Sequence, residues 1–201
     1  QRKVNKMTQY TRNILKVYKQ CTSDEIDHGM TWYSDAKDKC QVMADEYQLP
    51  LRIVVGVVAA LSPTNNWFQN LKDANNMLRQ FVVGGYVEDC IVCTYNTMRD
   101  KAWSILQTMP HNDDDVAFIL RGPKITDFFY CIMGHDVCVI DGHAWCIANA
   151  DRRTLQEVPN IGKKLRAELQ EAYRRAAKKH NVTAYQMQAA TWVAWKRIYN
   201  V

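Results

Sequence analysis

The sequence has little glycine and proline, with 8 and 5 residues among 201, so long linkers, collagen-like repeats and low-complexity segments are not expected. It also lacks a long apolar run, because the longest, Ile53–Leu61, is about half of the roughly 20 residues that a membrane-spanning helix needs. The first part of the chain shows neither the apolar core nor the small-residue cleavage site of a signal peptide. We therefore expect a soluble, intracellular protein without a membrane partner.

The cysteine pattern argues against both a disulfide framework and a metal site. The chain has 7 cysteines, an odd number, and most stand in apolar contexts, which is typical of reduced core thiols. Cys90 and Cys93 form the one C-x-x-C pair, but no second pair accompanies them, and a single pair is a weak metal signal. No cysteine follows Cys146, which argues against a four-cysteine iron–sulfur loop. We expect no metal site.

Positive charge is concentrated in two segments, although the net charge is only +5. Residues 1–20 contain six Lys and Arg and no acid, and residues 152–179 contain nine against three Glu. Such segments attract polyanions, because binding releases counterions from the polyanion. Solvated faces of surface helices explain any one of these residues equally well.

The apolar periodicity predicts an all-α protein, since no alternating strand pattern and no βα rhythm is present. Residues 24–33 read as a loop, and the segment around Ile53–Leu61 reads as a central buried helix. In the first helix, Val4, Met7, Ile14 and Val17 form the apolar stripe. The predicted helices lie within residues 4–18, 34–47, 50–62, 67–81, 94–109, 111–119, 124–133, 142–150, 163–180 and 183–200.

One constellation carries chemistry: a tight turn in Phe118–Lys124, "FILRGPK", and an acid in Val139–Ala144, "VIDGHA". A turn between two helices directs backbone N–H groups outward, where a phosphate can accept them. Gly122 removes the side chain that would hinder this approach. Lys124 opens the following helix, and Asp141 precedes a further helix. An amine close to a carboxylate could act on a base–sugar bond.

These residues resemble the helix-hairpin-helix superfamily of DNA glycosylases, of the endonuclease III and 8-oxoguanine glycosylase type. The superfamily signature is L-P-G-V-G-x-K followed by V-D-x-H, and a buried helix upstream ends in a motif like L-L-S-x-Q/N. Here "AALSPTNNW" (Ala59–Trp67) stands at the expected distance upstream, with its own Ser-x-x-Asn-Asn. The resemblance implies a helical bundle of two lobes with a cleft between them, formed by one domain over residues 1–201. It also implies double-stranded DNA as the partner, a monomer, and no cofactor apart from a monovalent cation at the hairpin.

The resemblance also implies roles for single residues. Asp141 would stabilise the oxocarbenium at C1′ or activate the nucleophile, and Lys124 stands where lyase members carry a Schiff-base lysine. The turn would hold a phosphate, and Asn65, Asn66 and Trp67 would contact the gap left by a flipped base. The hairpin departs from the signature at its first glycine, where Leu120 stands. The predicted DNA contacts are Ser62, Thr64, Asn65, Asn66, Trp67, Arg121, Gly122, Pro123, His143, Lys163 and Lys164.

Local structural roles remain open for several of these residues. An aspartate before Gly-His is also a normal helix N-cap, His143 could support the loop by hydrogen bonding, and Trp67 could be a core residue. Ser62 suits a helix cap better than a nucleophile. The segment Val158–Leu165, "VPNIGKKL", matches the hairpin signature better than the chosen turn, but no D-x-H follows it at the required distance. It reads as a loop into a helix.

The layout also resembles an uncharacterised group of bacteriophage proteins with the same scaffold. Shared marks are Trp32-Tyr33, the segment Ala60–Ala74, and Gln188–Trp195, "QAATWVAW". A phage gene would place the protein in the cytoplasm of the bacterial host. Three functions follow. The first is a DNA glycosylase, with or without AP-lyase activity, and the second is an enzyme that transfers an amine or amino acid onto an activated pyrimidine. The third is a DNA-binding module without catalysis.

Overall fold

The computed structural model describes residues 2–201, with side chains from Thr8 onward. Within this range the chain forms α-helices and one 3-10 turn (Val87–Asp89) and no strand. The all-α class is therefore confirmed. The helices are α1 (Arg2–Tyr18), α2 (Ser23–Tyr47), α3 (Leu51–Ala60), α4 (Trp67–Val82), α5 (Asn96–Thr108), α6 (Asp113–Leu120), α7 (Pro123–Met133), α8 (Gly142–Asn149), α9 (Lys163–Lys178) and α10 (Ala184–Tyr199).

The chain divides into two compact units. Unit 1 combines Gln1–Tyr33 with His135–Val201, and unit 2 is the continuous segment Ser34–Gly134. The single domain over residues 1–201 and the glycosylase-like bundle with a cleft stay predictions.

Unit 2 is built around α3, which contacts α4, α5, α6 and α7. All residues of α3 from Ile53 to Ala60 are buried, because the helix is apolar on every side, as the sequence predicted. Gly56 lies where α3 approaches its neighbours most closely. A Cβ at this position would lie 2.8 Å from a methyl group of Val116 and 3.3 Å from Ile105. The helix thus tolerates a residue of low helix propensity in return for close packing.

Unit 1 packs α1 against α8, α9 and α10. Ile14 and Val17 of the predicted stripe are buried, whereas the side chains of Val4 and Met7 lie outside the described residues. Two polar side chains of α1 bind carbonyls on neighbouring helices: Asn13 Nδ2 donates to Ala148 O at 2.8 Å and Thr11 Oγ1 donates to Ala172 O at 3.3 Å. These bonds fix α1 along α8 and α9.

The loop predicted for residues 24–33 is wrong, because α2 already begins at Ser23. The physical reason is a capping box, in which the backbone N–H of Glu25 donates to Thr22 Oγ1 at 3.3 Å and that of Thr22 donates to Glu25 Oε2 at 2.9 Å. The sequence Thr-x-x-Glu carries this signal. Elsewhere the predicted bounds agree closely with the structure, including the start of α10 behind Thr183, which forms a capping box with Gln186.

The cysteines are all free thiols, as their apolar contexts predicted. Cys40, Cys90, Cys131, Cys138 and Cys146 are buried, and Cys93 is exposed. Burial raises the pKa of Cys40 to about 12, so this thiol stays protonated and unreactive at neutral pH.

Candidate nucleic-acid interface

The predicted hairpin is present in unit 2 as α6 and α7, joined by Arg121 and Gly122 alone. Arg121 adopts the left-handed conformation, with φ of 56°, and its N–H donates to Ala117 O. Gly122 has a negative φ, so the backbone conformation does not require glycine. The lack of a side chain leaves room for Ile125, which would lie 3.1 Å from a Cβ at this position. Arg121 stacks its guanidinium 5.0 Å from the ring centre of Phe118, which is 69% exposed. A cation and an aromatic ring therefore stand together in solvent beside the turn.

The turn offers N–H groups to an anion more readily than carbonyls to a cation. Pro123 is the first residue of α7, and no side chain caps this helix, so the first N–H groups of the helix remain available. The carbonyl of Leu120, in contrast, accepts from Lys101 Nζ at 2.5 Å and from Gly122 N at 2.6 Å. Because an ammonium group already donates a hydrogen bond to this oxygen, Leu120 O does not fit the predicted monovalent cation.

Lys124 lies in the first turn of α7 and is exposed. Its amine forms no ion pair with the described part of the chain, and α7 has no acidic residue in its first turn. A positive charge at a helix N-terminus is unfavourable by a few tenths of a kcal/mol up to about 1 kcal/mol. The position thus offers Lys124 no evident structural role, and the amine is accessible to a substrate.

The loop after α3 uses most of its polar side chains within the fold. Ser62 Oγ donates to Ala59 O at 2.9 Å, at the C-terminal end of α3, and Thr64 Oγ1 donates to Pro63 O at 2.6 Å. Asn66 is the N-cap of α4, its side chain accepting from Gln69 N at 2.9 Å. These bonds give the three residues structural roles, and their contacts with DNA stay predictions.

Asn65 supports a buried carboxylate that the sequence did not reveal. Asp73 is 2% exposed and accepts from Asn65 Nδ2 at 3.0 Å, Gln69 Nε2 at 2.6 Å and the N–H of Cys93 at 2.7 Å. Asn65 Nδ2 also donates to Leu61 O at 3.0 Å. The amide nitrogen is therefore engaged inside unit 2 and is not free for a base.

Trp67 opens α4 and is partly buried. Its ring meets Phe128 of α7 edge to face, with 6.3 Å between ring centres. This contact supports the core role that the sequence left open for Trp67. A partly exposed indole can still stack on a base.

In unit 1, Asp141 is the N-cap of α8, and its Oδ1 accepts from Ala144 N at 2.8 Å. Its second oxygen, Oδ2, accepts no hydrogen bond from the described residues, and the side chain is partly exposed. The guanidinium of Arg166 binds the neighbouring carbonyl of Ile140 at 3.1 Å, so a cation stands one residue from the acid. Both the capping role and a free carboxylate oxygen are therefore present.

Two other predicted contacts of unit 1 stand at the starts of helices. His143 lies in the first turn of α8, with its ring centre 6.3 Å from that of Trp192. Lys163 and Lys164 open α9 and are exposed, behind Gly162, which supplies no side-chain cap. The segment before them is a loop leading into a helix, as predicted.

The structure places the predicted residues in two groups. Unit 2 contains Ser62, Thr64, Asn65, Asn66, Trp67, Arg121, Gly122, Pro123 and Lys124, and unit 1 contains Asp141, His143, Lys163 and Lys164. Lys124 and Asp141 thus belong to different units, and their shared pocket stays a prediction. Among the described residues, no group of three His, Cys, Asp or Glu is placed to hold a metal ion. None of the described helices is long and apolar enough to cross a membrane.

The model of a family described as "Family of unknown function (DUF7178)" matches residues 1–198 of the chain. No curated protein and no solved structure matches the chain.

Proposed function

The chain belongs to the DUF7178 family, whose function is unknown, and from this premise we propose that the protein is a DNA N-glycosylase. The proposal rests chiefly on Asp141. This acid is held rigidly by its bond to Ala144 N at 2.8 Å while its Oδ2 accepts nothing from the described residues. A positioned carboxylate with a free oxygen can stabilise a positive charge that develops on a sugar.

Base release requires a charge of this kind where the sugar becomes positive. The N-glycosidic bond breaks, its electron pair leaves with the base, and the base takes up a proton. A water molecule adds to C1′ and loses a proton. Asp141 would stabilise the oxocarbenium-like state between these events, or accept the proton of the water.

The hairpin of unit 2 supports a second activity for the same enzyme. The exposed amine of Lys124 would replace water as the nucleophile, forming a bond to C1′ as the base leaves. The sugar ring would open to an imine, and loss of a proton at C2′ would expel the 3′ phosphate by β-elimination. The turn N–H groups and Arg121 would hold a backbone phosphate during this step.

The test uses two substitutions that separate the cap from the charge. Asn caps helices about as well as Asp, whereas Ala costs about 1 kcal/mol. We expect Asp141→Asn to retain the melting temperature of the wild type and to lose base release, measured by mass spectrometry on duplexes that carry varied modified bases. Asp141→Ala should lose both stability and base release. Base release by Asp141→Asn at the wild-type rate would contradict the proposal.

The same experiment identifies the two rivals. A nucleoside that gains mass with its sugar bond intact would indicate transfer of an amine or amino acid, and would overturn the glycosylase proposal. DNA binding without any product would indicate a binding module. In that case the side chains of Asn65, Asn66 and Asp141 would have only the structural roles that their intramolecular hydrogen bonds give them. Borohydride trapping of a protein–DNA adduct, lost in Lys124→Gln but not in Lys164→Gln, would support the lyase.

A further inference from the structure

The two basic segments of the sequence meet in one groove of unit 1. The groove lies between α1 and α9, has a volume of about 560 Å³, and is lined by Thr8, Thr11, Arg12, Arg175, Lys178 and Lys179. Four of these six residues are cations, and all four are exposed. Thr11 ties the walls together, since its hydroxyl donates to Ala172 O of α9 at 3.3 Å.

The charge of the groove is largely uncompensated. Glu171 pairs with Arg175 at 2.9 Å, but a half-exposed ion pair is worth at most about 1 kcal/mol and can yield to a competing anion. The described residues place no carboxylate in an ion pair with Arg12, Lys178 or Lys179.

A structural explanation for the lysines is that they offset the dipole at the C-terminus of α9, where Arg175 and Lys178 occupy the last turn. The dipole amounts to about half a negative charge, which is too little to absorb this surplus. The four cations, less Glu171 and the dipole, leave about +2.5 charges in the groove. Arg12, in the middle of α1, is not explained by the dipole at all.

The dimensions of the groove favour an extended ligand. Arg175 and Lys179 are four residues apart, which corresponds to about 6 Å along the helix axis. One strand of B-DNA carries a phosphate about every 3.4 Å of its axis, so this turn of α9 spans about two phosphates.

We propose that the groove between α1 and α9 binds the phosphodiester backbone of DNA, through Arg12 on one wall and Arg175, Lys178 and Lys179 on the other. The proposal rests on the proposed function only in that the polyanion is DNA. It concerns a surface separate from the predicted contacts, since none of the four cations is among them. Contacts of this kind supply affinity and register without reading the base.

The experiment compares two double variants that remove the same number of charges. Lys178→Gln/Lys179→Gln alters the groove, and Lys39→Gln/Lys72→Gln alters two exposed lysines of unit 2. Binding of an unmodified 20-base-pair duplex is followed by fluorescence anisotropy at several salt concentrations. We expect the groove variant to bind about tenfold more weakly at low salt and to lower the slope of log K against log salt by about 1.8, or 0.9 per phosphate contact. The control should change the slope by less than about 0.5.

Equal losses of duplex affinity in the two double variants would mean that only net charge matters, and would overturn the proposal. Unchanged affinity of the groove variant would also overturn it. Arg12→Gln tests the opposite wall of the groove independently of α9. Melting curves check that each variant is folded. Tripolyphosphate serves as the competing small anion. Tight binding of tripolyphosphate, with no binding of the duplex, would assign the groove to a small polyphosphate and overturn the DNA assignment.

The groove and the glycosylase proposal fail in different ways. A loss of the salt slope in the groove variants but not in Lys39→Gln/Lys72→Gln concerns the groove. If the wild type binds DNA through the groove but releases no base, the glycosylase proposal alone is wrong. If the wild type binds no duplex at any salt concentration, both are wrong.

Discussion

The ion pair between Glu25 and Arg197 at the start of α2 is open to a quantitative test. Glu25 is 8% exposed, and its carboxylate accepts from Arg197 Nε at 2.6 Å and Nη2 at 3.1 Å. Glutamine also serves in a capping box, so Glu25→Gln preserves the bond with Thr22 and removes the charge. The substitution therefore isolates the ion pair from the cap.

The expected loss lies between two limits. Breaking a fully buried ion pair costs about 3–5 kcal/mol, whereas an exposed pair contributes about 0–1 kcal/mol. The side chain of Arg197 is 49% exposed, so water would partly solvate it after the change, and we expect a loss of about 2 kcal/mol. For a chain of this length that corresponds to a melting temperature lower by about 4–8 °C.

The pH dependence of the melting temperature tests independently whether the ion pair of Glu25 stabilises the fold. Hydrogen bonds from Arg197 lower the pKa of Glu25 below its ordinary value of 4.5, so the folded protein holds this proton less tightly than the unfolded chain. The contribution is then fully present above pH 4.5 and is lost as the pH falls through the lower, folded pKa. Wild type and Glu25→Gln should melt about 4–8 °C apart at pH 7 and converge at acidic pH.

Glu157→Gln is the matched control for this comparison. Like Glu25, Glu157 accepts from the backbone N–H of the threonine three residues before it, Thr154, at 2.9 Å, but it lies in a turn, is exposed and has no such buried ion pair with an arginine. The control should lower the melting temperature much less at pH 7. An equal effect of both variants, or a difference for Glu25→Gln that persists unchanged at pH 3, would refute the reasoning.

Two further predictions concern unit 2. Gly56→Ala should destabilise the protein by about 1–2 kcal/mol, because forcing a methyl group to within 2.8 Å of Val116 outweighs the gain of about 1 kcal/mol in helix propensity; urea unfolding measures this, and a stabilised variant would contradict it. Asn65→Ala should cost about 1–3 kcal/mol by leaving the buried Asp73 with fewer donors, again measured in urea. An unchanged midpoint would contradict this prediction.

The helices could be predicted from the sequence because their signals are local. The apolar surface of α3, the cap of α10 at Thr183 and the turn at Arg121-Gly122 all lie within a few residues of the features they determine. The start of α2 was also readable, since Thr22 and Glu25 form the S/T-x-x-E pattern. His28 and Gly29 interrupt the segment and lower its helix propensity, which favours a loop there.

The candidate site was less accessible because its partners are distant in the sequence. Asn65 is of a residue type that often contacts DNA. Its hydrogen bonds, however, depend on the buried Asp73, which also accepts from the backbone N–H of Cys93. The groove joins Arg12 to Lys178 and Lys179, which no local pattern connects. The sequence likewise does not show which carboxylate oxygen of Asp141 accepts the capping bond from Ala144 N and which stays free.

The order of the units along the chain has a consequence for biosynthesis. Unit 2 is continuous, whereas unit 1 needs both Gln1–Tyr33 and His135–Val201. On the ribosome, α1 therefore emerges before α8, α9 and α10 are available to pack against it, while the apolar helix α3 can already be enclosed by α4 to α7. At about 5–20 residues per second, the apolar face of α1 stays uncovered for many seconds, a period in which a nascent-chain chaperone would find its natural target.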